Sequence, residues 1–243
     1  MPYLEIDGYC PVCEAARRLS SSDSWYRDNL ICPDCRSIPR HRALMRALAM
    51  FAPNWRGLTV HESSPVWTGM SNKLFRECKD YSWSYYDPQI PEGGIHSQLG
   101  WRNENIEALT FDDASLDLFV TQDVFEHVFR PDLAAAEIAR VLRPGGMHIF
   151  TVPLAREHLP SIRRARKVGT KIEHILEPMF HGDPINSEGT LVTIDWGYDI
   201  VEHLAWPSGM LVTILNLKDH ENGIIGPALD VVIMKKRTKT PLI

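Results

Sequence analysis

Cys10-Pro-Val-Cys13 and Cys32-Pro-Asp-Cys35 are two pairs of thiols, each spaced by two residues, with eighteen residues between the pairs. Two intervening residues let both sulfurs of a tight turn face one point. Two such turns make a closed, tetrahedral four-thiolate site of the kind that suits structural zinc. A closed site has no open position for a substrate, so this chemistry is stabilising rather than catalytic. A module of about thirty-five residues has too little core to hold itself together, and metal ligation supplies the missing stability. An iron site and a redox dithiol are the alternatives for the same spacing, although a redox pair needs only one Cys-x-x-Cys. Cys78 is left as a partly buried free thiol.

The remaining groups with chemical potential follow Leu116 to Thr121, a short apolar strand that ends in Gln122-Asp123 and then Glu126-His127. Pro131 and Asp132 open a helix with a fixed φ and an acidic first turn. Ile138, Val141 and Leu142 give it one apolar stripe, Pro144-Gly145-Gly146 ends it, and Met147 to Val152 is the next strand. A strand–helix–strand crossover is the unit of a parallel sheet whose ligands sit at the carboxyl ends of the strands. Upstream, Leu44, Leu48 and Phe51 share one face of a helix over Pro39 to Phe51, with Arg40 and Arg42 solvated at its start or else placed to reach an anionic substrate group. Leu58 to Glu62 and Ser82 to Tyr86 read as two more strands. Met210 to Leu217 and Leu229 to Met234 read as a closing antiparallel pair. Leu19 to Leu30, with Trp25 and Tyr26, fits a short hairpin between the cysteine pairs.

Leu109-Thr110-Phe111-Asp112-Asp113-Ala114-Ser115-Leu116-Asp117, Glu126-His127-Val128 and Leu142-Arg143-Pro144-Gly145-Gly146 occur in that order. They resemble the class I S-adenosylmethionine-dependent methyltransferases, in particular the type 11-like group with L-P-F-x-D-x-S-F-D, E-H-V and L-R-P-G-G. The resemblance implies an α/β, Rossmann-like, seven-stranded mixed sheet over residues 39–243, with an acceptor-side insertion at about 154–200. Residues 1–38 look like a zinc ribbon; a rubredoxin-like iron site would share the second pair, but Arg36 stands where that family has glycine. In the family the first strand runs into an acid and a glycine-rich turn. Here the acid is Glu62 and the turn begins Ser63-Ser64-Pro65, so small hydroxyl side chains stand in for glycines, or the pocket is narrowed, or cofactor binding is lost. Asp87 aligns with the acid that holds the ribose hydroxyls, with a turn-forming role as the alternative. Asn105 and Ile106 align with the residues at the adenine edge. Gln122 and Asp123 lie where methyl donor and acceptor meet. His181, in Phe180-His181-Gly182-Asp183-Pro184, is the expected general base, with His127 and Asp123 as further catalytic candidates.

Composition bounds the partners. The net charge of −5 argues against general affinity for nucleic-acid backbones. A local basic group, Arg163, Arg164, Arg166, Lys167 and Lys171, reads as a solvated, partly helical segment, or else as an anion-binding patch. Hydrophobic residues make up 44% of the chain, enough for a proper core, yet no apolar run is long enough to cross a bilayer. The first residues lack a signal-peptide pattern, so a cytoplasmic protein is expected. The resulting expectation is O-methylation of a small polar or glycan-type acceptor, with S-adenosylmethionine as cofactor, zinc as structural metal, no membrane and no nucleic acid. The rival is a degenerate methyltransferase fold whose ribbon docks a protein or nucleic-acid partner. Lys235-Lys236-Arg237 to Ile243 reads as a solvated tail.

Overall fold

The structure is a computed structural model that describes residues 2–238. The chain opens with an antiparallel hairpin, β1 (Leu4–Cys10) and β2 (Ala15–Ser21), which carries the first cysteine pair at its tip. The hairpin therefore surrounds that pair rather than spanning Leu19 to Leu30. Between the pairs the chain makes a single helical turn, α1 (Tyr26–Asn29). Asp23 stabilises it by accepting hydrogen bonds from the Trp25 N–H and the Asn29 amide, local bonds that compete with strand pairing.

Helix α2 (Pro39–Phe51) starts on proline, where a missing N–H costs nothing, and buries Leu44, Met45 and Leu48. Phe51 lies past this seam and is partly exposed. Arg42 is fully buried rather than solvated. Its guanidinium donates to the carbonyls of Ser37, Leu30 and Gly223 at 2.6, 2.9 and 2.8 Å. The Leu30 and Gly223 carbonyls lie in irregular segments with no ladder to join, and that of Ser37 also accepts the Cys32 N–H at 2.9 Å, so one cation gathers acceptors from three places.

The sheet is built from β3 (Thr59–Ser63), β4 (Asp80–Tyr85), β5 (Arg102–Asn103), β6 (Leu116–Gln122) and β7 (Leu142–Thr151), with α3 (Met70–Glu77) after β3 and α4 (Pro131–Val141) after β6. All pairings among these five strands are parallel. Helix α4 ends before Pro144: Leu142 already pairs with Leu116, and the Pro-Gly-Gly lies in an irregular start of β7. Gly146 is needed there, since a Cβ would sit 3.0 Å from the Asp117 carbonyl and 2.9 Å from that of Arg143.

Residues 154–199 contain no helix. They form short strands β8 (Ile162–Arg163), β9 (Ala165–Val168), β10 (Lys171–His174), β11 (Phe180–His181), β12 (Thr190–Leu191) and β13 (Ile194–Asp195). The basic segment is thus a β9–β10 hairpin, not partly helical. Gly169, at φ +62°, takes its turn, and Arg166 pairs with Glu173 across the strands. Leu191 to Ile194 is split between β12 and β13. After α5 (Ile200–Ser208), β14 (Leu211–Leu215) and β15 (Val231–Lys235) complete a seven-stranded sheet in the order β14-β15-β7-β6-β3-β4-β5, with β15 antiparallel to both neighbours. Lys235 ends that strand and Lys236 donates to the carbonyls of Ala139 and Leu142; the rest of the expected tail, from residue 239, lies outside the described residues. Among the described residues no helix is long and apolar enough to cross a membrane.

Strand alternation assigns side chains to two apolar layers. Leu118, Val120 and Ile149 face α2 and, with it, Cys10, Leu19, Leu30 and Cys32 of the amino-terminal segment. Phe119 and Phe150 face α4 and α5. The cysteine module is therefore continuous with one half of the core.

Three histidines are buried in these layers. His61 lies between the Ser82 and Ser84 hydroxyls at 2.8 and 2.9 Å, and His148 stacks on Phe150 at 4.2 Å. Burial pushes both down to about 3, and His41 also to about 3 with the Arg40 charge adding to burial. A histidine with a depressed folded pKa contributes stability above its unfolded value near 6.5, and that stability is lost as pH falls toward 3. Unfolding in urea at pH 5 is therefore expected to take up about three more protons than at pH 7.5 from these groups, at about 1.4 kcal/mol per pH unit for each. A midpoint unchanged between these pH values would contradict this burial.

Candidate functional site

The carboxyl ends of β3, β4, β6 and β7 open into one cavity of about 1330 Å³. It lies where the strand order reverses between β3 and β6, the place at which parallel sheets bind ligands. The volume exceeds the ~300–1,000 Å³ of a typical small-molecule pocket, so it has room for two ligands. Its wall collects Ser63, Ser64, Asp87, Asn105, Ile106, Gln122, Asp123, His127 and His181, which are far apart in sequence.

Glu62 is not part of that wall. It is fully buried and accepts hydrogen bonds from Ser71 Oγ, Tyr81 Oη and Gln122 Nε2 at 2.8, 2.7 and 2.6 Å. Burial raises its pKa. Its place is behind the turn, as a strut that orients Gln122, in correction of a direct ligand role. Gln122 spends its amide nitrogen on Glu62 and Ser71, which turns Oε1 into a buried acceptor with no protein partner. The Ser-Ser-Pro turn keeps a glycine-like path without glycine: Ser64 has φ +60° and its N–H donates to the Ser84 carbonyl at 2.8 Å. Gly69, at φ +51°, does need to be glycine, because a Cβ would meet His41 Nδ1 at 2.7 Å.

Asp87 Oδ1 accepts the Gln89 N–H at 2.8 Å, and Asn105 Oδ1 accepts the Glu107 N–H at 3.0 Å. Each therefore has one turn-forming atom and one polar atom left over for a ligand. Ile106 lies between Asn105 and Glu107 on the same stretch of wall.

Asp123 differs most from its expected role. Its Oδ2 receives Arg27 Nη2 at 2.8 Å and Arg40 Nη1 at 2.5 Å. Burial pushes this carboxyl up, but the two guanidiniums outweigh burial and hold it below the usual carboxylate range. A carboxylate so held is a poor proton acceptor; it anchors the cysteine module to the end of β6. Arg27 and Arg40, with Trp25 and Asp28, also line the cavity. The sequence left Arg40 between a solvated residue and a contact for an anionic substrate group, and it singled out none of the other three as site residues. Arg40 looks like any solvated arginine at a helix start, and Trp25 like any aromatic of a small module.

Glu126 is 2% exposed, and neither of its carboxylate oxygens has a hydrogen-bond partner. His127 Nε2 lies 3.8 Å and His181 Nδ1 3.6 Å from Glu126 Oε1, with the two rings edge to face at 5.4 Å. Facing Glu126 raises the His181 pKa. The cavity thus has an acidic, imidazole-lined end beside the insertion and a hydrogen-bonding end beside β3 to β5.

At the amino terminus, Cys10 Sγ lies 3.7 Å from Cys35 Sγ, and Cys13 Sγ 3.7 Å from Cys32 Sγ. Four thiolates bound at ~2.3 Å to one tetrahedral ion lie about 3.8 Å apart, so the cluster fits a metal. The Cys13 N–H points at Cys10 Sγ at 3.5 Å, the arrangement expected of such a turn.

Residues 86–150 match a family model described as a methyltransferase domain. Over 66 residues the chain is 33% identical to a dimethylglycine N-methyltransferase of Parasynechococcus marenigrum (strain WH8102), a match spanning 27% of this chain and 24% of that protein. Among solved structures, an S-adenosylmethionine-dependent methyltransferase from Mesorhizobium loti superimposes with a TM-score of 0.53 at 13% identity, covering 80% of this chain and 98% of the other. The fold is that of class I methyltransferases.

Replacing Asp123 with alanine leaves two largely buried guanidiniums with only the more exposed Asp28 as their anion, so a loss of about 3 kcal/mol in urea unfolding is expected. A midpoint within ~0.5 kcal/mol of wild type would show that these ions are satisfied by water instead.

Proposed function

We propose that this protein is a methyltransferase that uses S-adenosylmethionine to methylate an oxygen of a small polar or sugar-like acceptor. The observation that carries the reading is the unpartnered, buried Gln122 Oε1 at the switch point, a fixed acceptor on a residue that lines a cavity large enough for donor and acceptor together. A site with a buried orphan acceptor is incomplete without a donor, and an ammonium group such as that of the cofactor supplies one. The remaining polar atoms of Asp87 and Asn105 are suited to the ribose and adenine edges, Ile106 to the ring face, and Ser63 and Ser64 to a close backbone approach.

When bound, the cofactor supplies a methyl already activated by a sulfonium charge. The chain's task is then to align acceptor and donor and to exclude water. The strut of Glu62, Ser71 and Tyr81 prevents Gln122 from turning away. The acceptor is held at the acidic end, where Glu126, His127 and His181 are the polar groups best placed to deal with a hydroxyl proton; Phe180 and Trp25 offer flat apolar surface for a ring. Asp123 contributes through its ion pairs, by holding Arg27 and Trp25 against the cavity.

The four thiolates are assigned to zinc, which has no open position there and therefore no part in the chemistry. A reduced thiolate cluster suits a reducing compartment such as the cytoplasm. N-methylation is a second reading, favoured by the stretch that is 33% identical to a dimethylglycine N-methyltransferase. A binding protein without catalysis is the rival from another class.

Calorimetric titration of zinc-loaded protein with S-adenosylmethionine, and separately with its demethylated product, is expected to give micromolar dissociation constants for both. Gln122→Ala should weaken them about tenfold, or ~1.4 kcal/mol. No binding to folded protein would sink the enzyme reading and leave the docking one. Chelation of the thiolate metal is expected to lower the melting temperature and weaken cofactor binding together, because Trp25 and Arg27 are carried between the two cysteine pairs. Colourless protein with one equivalent of zinc would agree with this assignment; iron in that amount would overturn it.

A further inference from the structure

We infer that Glu126, His127 and His181 form a second metal site, one that takes a divalent first-row transition-metal ion at the acceptor end of the cavity. Their ligand atoms all lie within 4.8 Å of one another. Glu126 and His127 follow β6, whereas His181 arrives on β11 from the insertion, so the constellation is assembled by tertiary structure. The role given to this ion rests on the methyl-transfer reading; its binding does not.

The strongest argument is the Glu126 carboxylate. A buried carboxylate with no hydrogen bond costs several kcal/mol, so native structures cover such groups with a cation or a donor. Among the described residues its ion-pair neighbours are the two imidazoles, at separations too long for hydrogen bonds. The nearby Arg27 is committed to Asp123, Asp28 and the Ala228 carbonyl.

His127 adds an independent observation. Its Nδ1 lies 2.9 Å from the Leu191 carbonyl oxygen. A carbonyl can only accept, so Nδ1 carries a proton and Nε2, on the Glu126 side, is the nitrogen that the neutral ring offers to a metal. Fixing the tautomer of one imidazole nitrogen through a backbone carbonyl on the other is how proteins prepare a histidine for metal. Since Leu191 belongs to β12, which pairs with β11, one small hairpin both delivers His181 and orients His127.

Two imidazoles and one carboxylate suit ions such as Mn²⁺, Co²⁺ or Zn²⁺, whereas Mg²⁺ and Ca²⁺ prefer oxygen ligands throughout. Ligands on one such ion at ~2.0–2.2 Å lie about 3.0–3.5 Å apart, so the Glu126 contacts of 3.6 and 3.8 Å need close by only a few tenths of an ångström, and a pair at the 4.8 Å limit by a rotamer adjustment of about 1.3 Å. Three protein ligands leave open positions, and these face the cavity. An acceptor hydroxyl bound there loses its proton to water at a lower pH than it does free in solution, because the ion stabilises the oxygen's charge. The two histidines then act as ligands and need not serve as bases.

The test uses full-length protein with zinc already in the thiolate cluster, titrated with Mn²⁺ and followed by the electron paramagnetic resonance of free Mn²⁺. One equivalent bound per chain is expected, with enhanced water-proton relaxation from the open positions. Glu126→Gln and His181→Ala should each weaken binding at least tenfold while keeping the wild-type circular dichroism. No binding by the wild-type protein to Mn²⁺, or to Co²⁺ in a repeat, overturns the proposal, as does equal binding by both folded variants. If cofactor binding holds while metal binding fails, only the metal site falls. If the reverse is found, the metal site stands and the methyl-transfer reading falls.

Discussion

The reversal of strand order between β3 and β6 is the constraint on which the rest of this molecule depends. The two strands run parallel and side by side, so their carboxyl ends finish together, yet their connections leave toward opposite edges of the sheet. No backbone can fill the gap between those connections, and a crevice is left at the sheet's edge. Ser63, Tyr85, Gln122 and Pro153 stand at its rim because each lies at or just past a strand's carboxyl end.

Buried charge then decides how that crevice is walled. Asp123 takes two arginines, one from α1 and one from α2, and Arg42 takes carbonyls from three separate segments. Each of these ions is costly to bury alone and tolerable only when its partners are in place. The cysteine module is therefore held in one position against the sheet. Its apolar residues share a layer with α2 and β6, and its Trp25 and Arg27 reach the cavity. The module is better described as one wall of the site than as an appendage.

The insertion between β7 and α5 provides the opposite wall by other means. Its strands are two to four residues long and many of their side chains are exposed, so its apolar anchorage is confined to its ends, where Leu154, Ile194 and Trp196 join the layer under α4 and α5. Polar bonds tie down the rest: Thr193 Oγ1 donates to the Val128 carbonyl, Arg163 to that of Phe129, and His127 to that of Leu191. These bonds join the insertion to the turn after β6, where the acceptor half of the cavity begins. A segment held this way can vary in sequence while still presenting His181 to Glu126.

The core strands, α2 and α4 were legible in the sequence because their apolar residues follow the period of the element, and periodicity is a local property. The cysteine pairs were legible because a thiolate site needs short, fixed spacings. The short strands of the insertion were not, since two-residue ladders carry no period, and the basic run there suits a hairpin as well as a helix. Arg40, Arg42 and Asp123 were misread for a different reason. Whether a charged side chain is solvated or paired depends on what lies opposite it, here across 83 residues for Arg40 and Asp123 and 181 for Arg42 and Gly223. Glu62 and Glu126 show the same limit from the other side: one acid at the end of a strand is a strut with three donors, the other a buried carboxylate with none. Sequence alone determined the long periodic elements of the sheet and its two helices α2 and α4, and the order in which they come. Only the tertiary structure decided which charges meet, because hydrogen bonds and ion pairs act over a few ångströms in space and leave no spacing along the chain.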